Sequence, residues 1–127
     1  MKVLIVEDSN LIRERLVEMI SDIAKVEIVG QEGYAPKAIA SIQKLQPDVV
    51  ILDIRLRDGN GFEVLESIKK GHKPPVVIML TKYPYPSYRE KCLALGADFF
   101  LDKATEFEKV AVILQELEHH CHLKRKE

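Results

Sequence analysis

Tryptophan is absent from this 127-residue chain, and glycine and proline number only six each. So few backbone breakers, with no repeat among them, exclude a collagen-like or low-complexity protein. Two cysteines, Cys92 and Cys121, are too few for a disulfide framework, and without a signal peptide they read as reduced thiols of a cytoplasmic protein. No apolar run approaches the roughly 20 residues that cross a bilayer. The opening Met1-Lys2-Val3-Leu4-Ile5-Val6 is too short, and too soon followed by acid, to serve as a secretion signal. Charge of one sign is lacking too. Nineteen Lys and Arg face twenty Asp and Glu, a net charge of −1, which argues against a basic nucleic-acid surface. What remains is 46% hydrophobic, enough for the core of one domain.

Three short runs are almost purely apolar: Val3 to Val6, Val49 to Leu52, and Val76 to Leu80. Strands of this kind are buried on both faces, as in a parallel sheet covered by helices. Two weaker runs, Val26 to Gly30 and Phe99 to Leu101, read as edge strands. Phe99 and Phe100 point to opposite faces, one into the core and one partly exposed.

Helical patterns fill the intervals. Leu11, Ile12, Leu16, Met19, Ile20 and Ile23 recur at helical spacing, with Ser9 or Asn10 as cap. A second helix runs from Pro36, a good first-turn residue, to Leu45. A third holds Phe62, Val64, Leu65 and Ile68. A fourth spans Ser87 to Leu95, delayed by Pro84 and Pro86 and closed by Gly96, with Cys92 as a small core residue. The last is expected to start at Thr105, with Glu108 completing a capping box, and to carry a stripe of Val110, Val112, Ile113, Leu114 and Leu117. Its end, His119-His120-Cys121-His122, reads as a polar helix terminus rather than a metal site, with Lys124 and Arg125 favoured by the helix dipole.

Five strands alternating with five helices imply βαβ units and a doubly wound α/β domain over residues 1–127. Placing the three apolar strands in the middle gives the flavodoxin-like order 2-1-3-4-5. Glu7 and Asp8 then follow the first strand, Asp53 ends the third, Thr81 ends the fourth and Lys103 follows the fifth. All five lie at the carboxyl edge of the sheet, where open α/β folds bind ligands. Strands one and three are neighbours, so three carboxylates converge. That is costly without a cation, and a hard divalent ion such as Mg²⁺ resolves it. A carboxylate nucleophile at Asp53, a divalent cation, an ammonium and a hydroxyl are the parts that phosphoryl transfer requires.

Read as a set, these residues resemble the receiver domains of two-component response regulators over essentially the whole chain. The resemblance is carried by Val6-Glu7-Asp8-Ser9, by Pro47-Asp48-Val49-Val50-Ile51-Leu52-Asp53, by Asp58-Gly59-Asn60-Gly61-Phe62, by Met79-Leu80-Thr81, and by Gly96-Ala97-Asp98-Phe99-Phe100-Leu101-Asp102-Lys103. It implies a phosphohistidine on a sensor histidine kinase or phosphotransfer protein as donor, and Asp53 as acceptor. It implies Mg²⁺ held by Glu7, Asp8, Asp53 and the backbone carbonyl of Arg55. It implies phosphoryl contacts from Thr81 and Lys103, and an aromatic switch at Phe100. It further implies a protein that assists its own phosphorylation without being a turnover enzyme.

Departures accompany the resemblance. Receivers commonly follow the lysine with proline across a cis bond; here Ala104 makes a cis bond improbable. Phe100 lacks a hydroxyl, and Lys82 stands where a small residue is usual. The Lys-Ala-Thr-Glu-Phe run is similar to receivers of LuxR-type regulators, yet no helix-turn-helix sequence follows. The output is therefore expected to be a partner protein reached by protein contacts, or else the chain serves as a phosphate sink, with neither nucleic acid nor membrane bound directly. A dehalogenase-type phosphatase is the main competing class, but it would need an acidic residue at Arg55. A pseudo-receiver would lack part of the five-residue set. A flavodoxin would need hydroxyls and free amides after the first strand.

Overall fold

The computed structural model describes residues 1–126, with side chains described through His120. Along the chain, β1 (Lys2–Val6) leads to α1 (Asn10–Ser21), and β2 (Glu27–Glu32) to α2 (Ala35–Leu45). Next come β3 (Val49–Leu52), a hairpin of β4 (Arg55–Leu56) and β5 (Gly59–Asn60), and α3 (Gly61–Lys69). The chain continues through β6 (Val76–Thr81), α4 (Pro86–Ala94), β7 (Phe99–Asp102) and α5 (Lys109–Lys126). The sheet is five-stranded in the order β2-β1-β3-β6-β7, every pairing parallel. With the hairpin set aside, this is the order 2-1-3-4-5 with five helices.

Alternation along each strand divides the core in two. Val3 and Ile5 face Leu16, Ile20 and Leu114 on the side of α1 and α5. Leu4 and Val6 face Ala38, Val64 and Leu65 on the side of α2 and α3. The three central strands are buried on both faces, as their unbroken apolar runs require. Phe100 is buried with the second group, whereas Phe99 is half-buried with the first. Cys92 is the one fully buried residue of α4. Burial pushes its thiol up to about 11, so it packs as a small hydrophobe.

The helix starts follow local chemistry. The Ser9 hydroxyl accepts the Ile12 N–H at 3.3 Å and caps α1. Asn60 caps α3 by accepting the Glu63 N–H at 3.0 Å. Pro86 opens α4, the late start that the paired prolines predict.

The structure corrects the sequence reading at three places. The fifth helix begins at Lys109, not Thr105. In place of a capping box, the Glu106 carboxylate accepts the Asp102 N–H at 3.0 Å, and the Asp102 carboxylate accepts the Ala104 N–H at 2.8 Å. These bonds wind residues 103–108 into turns. Leu11 and Val112 are 64% and 51% exposed, so neither belongs to its helix's core stripe. The β4–β5 hairpin was not anticipated. Asp58 and Gly59 turn it at φ 53° and 142°, backbone that suits a short polar residue and glycine. The bond preceding Ala104 is trans, as expected. The expectation for the His119–His122 cluster falls partly on Cys121 and His122, whose side chains lie outside the described residues.

Candidate functional site

The ends of β1, β3 and β6, and the residue after β7, bring four polar side chains together under nearly complete burial. Glu7 is 2% exposed, Asp53 5%, Thr81 0% and Lys103 9%. Each is fixed by the ladder that ends beside it. The Glu7 N–H donates to the Glu32 carbonyl at 2.8 Å, and the Asp53 N–H to the Val6 carbonyl at 3.0 Å. The Lys103 N–H donates to the Thr81 carbonyl at 2.8 Å. Parallel register therefore sets the cluster before any side chain chooses a rotamer.

Carboxylate oxygens of Glu7, Asp8 and Asp53 lie within 4.8 Å of one another, with Asp8 at the half-buried rim. The Lys103 ammonium bridges the two deeper acids. It donates to Glu7 Oε1 in a short ion pair and to Asp53 Oδ2 at 3.0 Å. The other Asp53 oxygen accepts the Ile54 N–H at 2.7 Å, which fixes the plane of the carboxyl group. Glu7 also accepts the Ser9 N–H at 3.3 Å, while its carbonyl accepts Arg13 Nη1 at 2.5 Å.

One ammonium cannot neutralise three carboxylates. Two like charges no more than 4.8 Å apart, at an effective dielectric of about 20, repel by roughly 3 kcal/mol or more. Burial, reinforced by the charge of Asp53, accordingly pushes Glu7 up to about 7. For Lys103, burial alone works to lower the pKa. Its hydrogen bond to Glu7 and the charges of Asp53 and Glu7 outweigh that, and the net direction is upward. The donor set is all hard oxygen with excess negative charge, which fits a divalent cation such as Mg²⁺ rather than a soft metal.

Thr81 sits at the end of β6 beside this cluster, and its hydroxyl accepts the Tyr83 N–H at 3.0 Å. Arg55 starts the hairpin two residues after Asp53. Its side chain is exposed, and its guanidinium lies 3.8 Å from the centre of the Tyr83 ring. Lys82 is exposed. Phe100 is not in the crevice; its ring is in the core, with the Arg89 guanidinium 5.9 Å from its centre.

Gly61 is a positioning residue whose role shows only in the packing of α3 on β3. A Cβ there would stand 2.2 Å from the Asp53 carbonyl oxygen and 2.9 Å from Ile54 Cα. The Gly61 N–H also donates to the Ile54 carbonyl at 2.6 Å. The first residue of α3 is thus packed directly on the strand end that presents Asp53, and only a residue without a side chain fits. The signal available in the sequence was a glycine at the first position of a helix, where other residues are better formers.

Comparison with known proteins agrees with this architecture. The family model of the response regulator receiver domain matches residues 3–115. The sensory transduction protein LytT of Bacillus anthracis is 32% identical over 115 residues, covering 91% of this chain and 46% of that protein. The chain spans about half the length of the curated relatives it matches. A DNA-binding response regulator of the LuxR family from Staphylococcus aureus superposes with a TM-score of 0.83 at 30% identity, covering 91% of this chain and 96% of that one. The CheX–CheY–BeF₃–Mg²⁺ complex from Borrelia burgdorferi gives 0.77 at 25% identity, covering 90% and 89%. Sheet order, the acidic cluster at the sheet edge and the match over most of the sequence agree: the chain belongs to the response regulator receiver domain family of two-component systems.

Proposed function

We propose that Asp53 accepts a phosphoryl group from a phosphohistidine donor on a sensor histidine kinase or phosphotransfer protein. The observation that carries this reading is the Lys103 ammonium held between Glu7 and Asp53 beside a cluster of three carboxylates. An Asp53 carboxylate oxygen attacks phosphorus, an O–P bond forms, and the donor's N–P bond breaks. The imidazole nitrogen keeps the electron pair. Lys103 holds Asp53 in place and would then face the new phosphoryl oxygens, and the Thr81 hydroxyl, at the end of β6, would turn from the Tyr83 N–H to meet them.

Glu7, Asp8, Asp53 and the backbone carbonyl of Arg55 are the groups that would hold Mg²⁺. When bound, the ion supplies charge neutralisation for the transferring group. The excess of carboxylate over ammonium supports this assignment, as does the Mg²⁺ in the Borrelia relative's complex.

Residues 1–127 act in this reading as one cytoplasmic receiver unit. It assists its own phosphorylation and dephosphorylation but turns over no separate substrate. The signal passes to a downstream protein through protein contacts, not through direct binding of nucleic acid or membrane; among the described residues no helix is long and apolar enough to cross a membrane. Phe100 serves as the packing switch on the face of α4, β7 and α5. Such a switch works only if the phosphorylated site prefers one arrangement of Thr81 and Phe100 over the other.

The test is phosphorylation by acetyl phosphate with Mg²⁺, read by intact mass and peptide mapping. The expected result is one base-labile phosphoryl group on Asp53, lost in Asp53→Asn. Amide shifts on beryllofluoride binding should extend to α4, β7 and α5. Shifts restricted to α1 and α2 would contradict the assigned output face.

A further inference from the structure

The geometry points to a second recognition surface, distinct from the crevice: a row of aromatic rings that binds an acidic, extended segment of a partner protein. Four of the chain's eight Phe and Tyr rings join in one line. Phe62, in the first turn of α3, packs edge-on to Tyr88 with centroids 5.5 Å apart. Tyr88 packs edge-on to Tyr85 at 5.1 Å, and Tyr85 leads to Tyr83 at 6.1 Å. A cation closes each end. Arg55 lies over Tyr83 at 3.8 Å, and Lys91 over Phe62 at 4.3 Å.

This row does more than fill the core. Tyr85 is 50% exposed, and the other three rings are half-buried. Pro84 and Pro86 flank Tyr85 and stiffen the backbone that presents it, so its ordering entropy is already spent before any partner arrives. Tyrosine is the residue type that binding surfaces favour, because one rigid side chain offers apolar area and a hydroxyl donor together.

Charge identifies the occupant. Among the described residues, no carboxylate stands within the 4.0 Å ion-pair distance of Arg55 or Lys91. From Lys82 to Lys91 there are three cations, Lys82, Arg89 and Lys91, and one acid, Glu90, although the whole chain is nearly neutral. Cations without a carboxylate partner at both ends, phenol donors between them and apolar ring surface match a segment with carboxylates flanking apolar residues. Single-stranded nucleic acid fits less well. Bases need open ring faces to stack on. Here Arg55 and Lys91 already lie over the rings of Tyr83 and Phe62, and Phe62, Tyr88 and Tyr85 meet edge to face.

This surface does not depend on the role given to Asp53. The test therefore uses the full chain and its Asp53→Asn variant in parallel. The probe is the peptide acetyl-Asp-Glu-Leu-Pro-Leu-Glu-Asp-amide, titrated against ¹⁵N-labelled protein. A peptide with every acid replaced by Lys and a short oligothymidylate serve as competitors. The expected result is saturable shifts at Phe62 and along Tyr83 to Lys91 in both proteins. Tyr85→Ala and Lys91→Glu should each weaken binding about tenfold or more, with melting temperatures unchanged. Absence of saturable shifts up to millimolar peptide would overturn the proposal. So would shifts located elsewhere, equal binding of the lysine peptide, tighter binding of the oligothymidylate, or concentration-dependent shifts without peptide that mark self-association.

Discussion

At the amino edge of the sheet, Asp48, Asp98 and Lys69 are answered locally. The Asp48 carboxylate accepts the Lys2 N–H at 2.7 Å. Asp98 accepts both Lys69 Nζ and the Val77 N–H at 2.8 Å, and Lys69 also reaches the Pro75 carbonyl at 2.8 Å. These groups are partly exposed, and their work is to tie loops to strand starts. At the carboxyl edge the same kinds of residue are left in imbalance. Three carboxylates share one ammonium, and Glu7, Asp53 and Lys103 are almost fully buried. A fold selected only for stability would not keep that arrangement, because buried like charges are expensive. The difference between the two edges marks the second as the place where an outside cation and an anionic group are expected.

Removing the cation from each edge in turn should break the comparison most sharply. Lys103→Ala leaves the buried acids uncompensated and should cost about 3–5 kcal/mol in metal-free buffer. Lys69→Ala, at the partly exposed pair, should cost about 1 kcal/mol or less. Denaturant titration of both variants, with and without Mg²⁺, measures the contrast. A loss for Lys103→Ala no larger than that for Lys69→Ala would remove the argument from imbalance.

Metal should act at one edge only. Mg²⁺ at about 100 times its dissociation constant should stabilise the wild type by roughly 2.7 kcal/mol through linkage. Asp8→Ala should lose most of that response and Asp48→Ala none. The metal-free protein should also show a pH signature. Burial, with Asp53, raises Glu7 from 4.5 to about 7 in the fold. The folded state then holds a proton that the unfolded chain has released. Metal-free stability should therefore fall as pH rises from about 4.5 to about 7 and level off above. A flat or rising profile in the Glu7-containing protein, with the same profile in Glu7→Gln, would count against the buried cluster.

Gly61→Ala probes how tightly the carboxyl edge is positioned. Its methyl group must displace the Asp53 backbone, at a cost of about 1–3 kcal/mol, and labelling of Asp53 should slow along with it. Unchanged stability and labelling would show that the close approach is easily relieved. The smallest effect is expected for Lys69→Ala, about 1 kcal/mol or less and insensitive to Mg²⁺, since its pair with Asp98 is 17% and 40% exposed.

Much of this was legible in the sequence. Purely apolar runs marked the central strands, and a residue at a parallel strand's end has one place to go, so Glu7, Asp53, Thr81 and Lys103 could be assigned to one edge. What eluded the sequence lacked periodicity or depended on distance. The Arg55–Asn60 hairpin has strands of two residues, too short for any period. Thr105 and Glu108 matched a capping pattern, but Glu106 turned back to the Asp102 N–H instead. The Lys103–Glu7 contact joins residues 96 positions apart, and edge placement alone did not disclose it. The prolines around Tyr85 delay α4, but the alignment of its tyrosines with Phe62 depends on how α3 and α4 pack together, which no local pattern carries.

The most direct test of the account is the site of modification after incubation with Mg²⁺ and acetyl phosphate. A single phosphoryl group is expected on Asp53, absent without Mg²⁺ and absent in Asp53→Asn with its fold intact. Full labelling of Asp53→Asn, or labelling of the wild type that ignores Mg²⁺, would contradict it.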